Sequence, residues 1–111
     1  MSSFSQLPAD YQLFFVAGDY VAIPITIKSG GVAKDLTGYT FDAHIKSAPS
    51  NIPFTIEVKN QTLYPGQIIL SLSMVQTAAL VGKYSWELDW LDVSLNRRTL
   101  IASNVMVTPN G

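Results

Sequence analysis

In VAIPITIK (21–28), Val21, Ile23, Ile25 and Ile27 take every second place, and Ala22, Pro24, Thr26 and Lys28 fill the places between. Only an extended strand sends successive side chains to opposite faces, so this pattern demands a sheet with one oily and one wet side. The run from Tyr39 to Lys46 repeats it, with Tyr39, Phe41, Ala43 and Ile45 against Thr40, Asp42, His44 and Lys46. KYSWELDWLD (83–92) does so again, with Tyr84, Trp86, Leu88 and Trp90 on one face and Ser85, Glu87, Asp89 and Leu91 on the other. Further strands are expected over 11–17, 54–58, 67–73 and 98–107. Pro24 has no N–H for a ladder, which puts its strand at an edge or a bulge.

Turn residues separate these runs: Gly18-Asp19, Gly30-Gly31, Thr37-Gly38, the stretch from Pro49 to Pro53, and Pro65-Gly66. One segment leaves the strand habit. Ser73 followed by Gln76 forms a capping-box pattern ahead of TAAL, which predicts a helix of about two turns ending at Gly82. About seven strands with one short helix between the fifth and sixth describe an all-β fold, an immunoglobulin-like antiparallel β-sandwich. The expected organisation is an N-terminal arm (1–10), one sandwich domain (11–108) and a short tail (109–111), in keeping with one domain for 111 residues.

Charge bounds the partners. Seven Lys and Arg stand against eight Asp and Glu, and the 14% charged content is low against roughly 25% in an average soluble domain. Only Arg97-Arg98 are neighbouring cations, too few to displace counterions along nucleic acid. No stretch reads as a membrane span or a signal peptide, so neither nucleic acid nor membrane is an expected partner. The chain contains no cysteine, which removes disulfides and thiolate metal sites and fits folding in a reducing cytoplasm. Sparse charge on a small domain instead suggests surface given over to another protein.

Catalytic readings fail on geometry. Glu87 and Asp89 lie about 6.5–7 Å apart as i and i+2 on a strand, inside the spacing of glycosidase carboxyls. They point the same way from one strand, however, and the aromatics that could hold a sugar face the other side; a solvated strand face is expected. His44 forms a D-x-H pair with Asp42, but no second His or Cys exists to complete a metal site. KSGGVAKDLTG matches neither phosphate-binding glycine pattern and reads as a turn between strands. No catalytic residue, metal ligand or cofactor is expected. Tyr84, Trp86, Leu88 and Trp90 are expected in the core, Tyr84 at a sandwich corner where its hydroxyl bonds upstream. Candidate protein contacts are Phe4 and Leu7 in the arm, Phe14 or Phe15, of which one must face outward, and Ile69 and Leu91 on otherwise polar strand faces.

Gly18-Asp19 before an alternating strand, Asp35-Leu-Thr-Gly38 before an aromatic one, Leu72-Ser73, and Gly82 followed by Tyr84, Trp86 and Leu88 form a linked series. Over residues 12–108 it resembles the small N-terminal β-sandwich domains of tailed-phage baseplate upper proteins and fibre-attachment proteins. The resemblance implies a non-enzymatic virion structural protein of tail or baseplate, made in the host cytoplasm, and an adaptor, wedge-type piece or fragment. Its implied partners are other phage structural proteins, or copies of itself in a symmetric assembly. A capsid decoration protein would use the same fold. A carbohydrate-binding module would instead require Trp86 or Trp90 to be exposed.

Overall fold

A computed structural model describes residues 11–29, 31–47 and 51–109. The strands are β1 (Leu13–Val16), β2 (Val21–Thr26), β3 (Lys28–Ser29), β4 (Val32–Ala33), β5 (Thr40–Lys46), β6 (Ile52–Pro53), β7 (Thr55–Val58), β8 (Gln67–Leu72), β9 (Gly82–Leu91) and β10 (Arg97–Thr108), with helix α1 (Met74–Ala78) between β8 and β9. They form a five-stranded sheet, β1-β10-β9-β5-β6, facing a three-stranded sheet, β2-β8-β7, with β3 and β4 as a separate hairpin. The fold is all-β with two sheets, a sandwich, and all seven expected strands are present. The hairpin and the short β6 are additions.

The faces follow the alternation. Ile45, Ile68, Leu70, Leu72, Leu80 and Leu88 are fully buried between the sheets. Trp86 is 1% exposed, meets Phe54 at 5.6 Å and Tyr11 edge-on at 6.2 Å between ring centroids, and its Nε1 donates to the Tyr11 carbonyl at 2.8 Å. Burying a ring of that size contributes about 4–6 kcal/mol on area bookkeeping, an upper bound. Tyr84 is half-buried, and its hydroxyl donates to the Val81 carbonyl at 2.9 Å and accepts from the Val81 N–H at 3.0 Å. That is the expected corner bond. β2 is an edge strand with β8 as its neighbour, so Pro24 sits where a missing N–H costs least.

Two expectations need correction. The sandwich is not wholly antiparallel, because β1 pairs parallel with β10, Leu13 opposite Val105 through Val16 opposite Thr108. First and last strands run toward the same end, and the chain then crosses at Gly18 (φ 90°) into the other sheet. The helix is shorter than two turns. Its capping box is present, Ser73 Oγ accepting from Gln76 N and Gln76 Oε1 from Ser73 N, but it closes at Ala79. Leu80, fully buried, pulls the chain into the core, and Gly82 (φ 105°) opens β9 rather than capping the helix. A feature with no counterpart in the sequence pattern is a bulge in β10 between Thr99 and Ile101, which resets its alternation. Arg98 is thereby paired with Trp90 on the core-facing side.

The D-L-T-G turn is closed by its own side chains. Asp35 Oδ1 accepts from the Thr37 N–H at 3.0 Å and hydroxyl at 2.6 Å, and Gly38 takes φ 85°. Those bonds, the hydroxyl first, hold the Asp35 carboxyl below its ordinary pKa.

Candidate functional site

The outer face of the five-stranded sheet collects most of the polar chemistry. Cross-strand register places Asp42 opposite Asp89 and His44 opposite Glu87 on β5 and β9, and Thr99 of β10 opposite Asp89 on its other side. His44 Nε2 lies 3.4 Å from Glu87 Oε1, and Nδ1 lies 3.8 Å from Asp42 Oδ2. Lys46 Nζ is 3.2 Å from Glu87 Oε1. Arg97, one strand over, donates to Asp89 Oδ2 at 2.5 Å.

Asp89 departs from the expected solvated face: it is only 2% exposed. Phe41, Leu91 and Arg97 close around it, together with Asp42, in a shallow cavity of about 180 Å³. Burial pushes its carboxyl pKa up, but hydrogen bonding from Thr99 and Arg97 and the Arg97 charge outweigh this and hold it below the ordinary value. Asp89 in turn raises the Arg97 pKa, keeping that guanidinium charged. Oδ1 of Asp89 is buried without a hydrogen-bond partner. Leu91, odd as an apolar residue on a polar face, serves here as a wall beside the ion pair.

Like charges directly opposite each other destabilise a sheet unless a countercharge intervenes. Asp42 and Asp89 are such a pair, and Arg97 is the intervening charge. Among the described residues, no group of three or more His, Cys, Asp or Glu side chains is placed to hold a metal ion. The cluster is a lattice of ion pairs across three strands. Glu87 and Asp89 are engaged with cations on the same sheet face, as their shared strand face required.

Trp90 is half-buried. Tyr39 meets it at 4.9 Å in a T-shaped contact, and the Lys34 and Arg98 cations lie 5.7 and 5.8 Å from its ring centroid. A ring so flanked is a cation–π core element rather than an open platform. Of the contact candidates, Phe4 and Leu7 lie outside the described residues. Phe14 is 72% exposed and Phe15 packs against the core, so Phe14 is the outward member of the pair. Ile69 and Leu91 are half-buried.

Larger exposed apolar side chains lie at the two ends of the sandwich, where the sequence offered no periodic signal. At one end, Thr77 of α1 accepts from the Gly18 N–H at 3.0 Å and donates to the Asp19 carbonyl at 2.8 Å. This latch brings the β1–β2 turn and the helix together, and Tyr20, Met74, Val75 and Val81 project around it, all exposed. At the other end, Gln61 Oε1 accepts from the N–H groups of Leu36 and Gly66, tying two loops. Val32, Leu63, Tyr64, Val93 and Leu95 are exposed there. No helix among the described residues is long and apolar enough to cross a membrane. No protein-family model matches the sequence, and no curated protein does.

Proposed function

We propose that the chain is a non-enzymatic structural component of a tailed-phage particle, built into tail or baseplate by packing against neighbouring proteins or copies of itself. The observation that carries the reading is the placing of exposed apolar side chains at both ends of a charge-poor sandwich. Scattered surface leucines mean nothing, but apolar groups gathered on hydrogen-bonded loops are what an interface core requires. Two different ends that stick to a partner make a heterologous contact, which closes into rings or extends into stacks. The strand orders β1-β10-β9-β5-β6 and β2-β8-β7 support the immunoglobulin-like arrangement, with β1 switching to the edge of the larger sheet.

The outer-face carboxylates contribute through ion pairs, and no step of chemistry is assigned to them. The buried Trp86 and the flanked Trp90 weigh against a sugar-binding surface. A capsid decoration protein would use the same two ends, and its location on the particle separates it from a tail component. Peptide mass analysis of purified particles, after washing at high salt, tests the proposal. The chain should be retained in several copies per particle; its recovery only from the unassembled fraction counts against the reading.

A further inference from the structure

A cleft of about 430 Å³ opens between the edge strand β2 and the first half of β10, within the size range of ligand sites. Ile25, Leu88, Trp90 and Leu100 wall it, and Lys28 and Arg98 bring positive charge to it. The bulge in β10 turns Arg98 inward, which sets its guanidinium 5.8 Å from the Trp90 centroid. Its Nε is buried without a hydrogen-bond partner. Lys34 lies 5.7 Å from the centroid of the same ring. Among the described residues, no carboxylate forms an ion pair with Lys28, Lys34 or Arg98. Asp35, next to Lys34 in the chain, accepts its hydrogen bonds from Thr37 instead.

A buried N–H left so carries a desolvation cost, which an oxygen acceptor arriving in the cleft relieves. A charged acceptor gains most, and a carboxylate matches a guanidinium in shape as well as in charge. The apolar wall sets a second demand, which a bare inorganic anion fails to meet. An added backbone strand is a poor fit, because Pro24 lines the cleft on β2 and has no N–H to offer a ladder. Side chains meet both demands. We propose that the cleft is a socket for an acidic side chain flanked by apolar ones on a partner protein. The carboxylate accepts from Arg98 Nε, with Lys28 lining the same cleft, and the apolar neighbours pack on Ile25, Leu88 and Leu100. Such a socket rests on the structural role proposed above only in requiring a protein partner, and it gives that partner a chemical signature.

Two capped tripeptides, acetyl-Phe-Glu-Leu-amide and its glutamine counterpart, serve as probes of the full chain, followed by proton–nitrogen correlation NMR. The glutamate peptide should move the Arg98 Nε–H signal together with the amide signals of Ile25 and Ile101, and saturate. The glutamine peptide should bind at least about tenfold more weakly, since it offers Arg98 no charged acceptor. Arg98→Gln should erase that preference. Lys28→Gln, at an exposed position whose loss leaves the core intact, should weaken the glutamate peptide about twofold and keep the Tm. This second variant and the parent's own Nε–H signal decide the matter if Arg98→Gln fails to fold. Equal affinities for the two peptides, no saturation by about 10 mM, or shifts confined to residues outside the cleft overturn the proposal. The measurement is independent of particle assembly, so its failure leaves the structural role standing and removes the socket alone.

Discussion

Thr77→Val tests whether the latch between helix and turn holds one end of the sandwich together. The substitution keeps the shape of a fully buried side chain and removes its hydroxyl. Two bonds are lost, from the Gly18 N–H at 3.0 Å and to the Asp19 carbonyl at 2.8 Å. Each contributes about 0.5–1.5 kcal/mol net, and the stranded main-chain groups are partly buried, which adds to the cost. The added methyl recovers about 0.8 kcal/mol by burial. The balance is a loss of about 1–2 kcal/mol, or a Tm lower by roughly 4–8 °C for a domain of this size. Thermal unfolding followed by far-UV circular dichroism measures the first. Amide hydrogen exchange measures the cause: the Gly18 N–H should lose protection in Thr77→Val and keep it in Thr77→Ser, which retains the hydroxyl. A valine variant as stable as the parent, with Gly18 still protected, would refute the latch.

Other substitutions probe the ion-pair face and the loops. Arg97→Ala leaves the buried Asp89 carboxylate without its cation, whereas Asp89→Asn leaves Arg97 in solvent, so the arginine variant should show the lower Tm at neutral pH. Because the folded pKa of Asp89 is depressed, its stabilisation is present above the ordinary carboxylate pKa and is lost as pH falls through the folded value. The acid limb of the stability curve should start at higher pH in Arg97→Ala and lose the Asp89 contribution in Asp89→Asn. Gly66→Ala puts a Cβ 2.5 Å from the Ile27 carbonyl oxygen at φ 77°, while the same change at Gly31 meets open space at φ 82°. The first should cost over about 2 kcal/mol and the second about 1 kcal/mol, read from urea unfolding. Val75→Asp, at an 82%-exposed site in the first turn of α1, should leave Tm within a degree or two while abolishing self-association or incorporation into particles.

Alternation made the strands and their inward faces legible, down to Pro24 on an edge and Tyr84 at its corner. It tells which way a side chain points and not what covers it. Asp89 therefore read as wet, although Arg97 of β10 and Asp42 of β5 close over it beside Leu91 of its own strand. The bulge between Thr99 and Ile101 carries no signal in TLIAS, yet it decides that Arg98 faces inward. Thr77 and Gln61 act across 59 and 25 residues of separation, respectively. Such long-range side-chain bonds leave no local pattern. The parallel β1 was equally hidden, because period two is the same for either strand direction.

Gold-labelled antibody against the folded protein, applied to purified particles and viewed by negative-stain electron microscopy, tests the structural reading most directly. The account predicts label at the tail or baseplate of intact particles. Label over the capsid would assign the protein to the shell, and particles without label, beside abundant free protein in the lysate, would contradict a structural role.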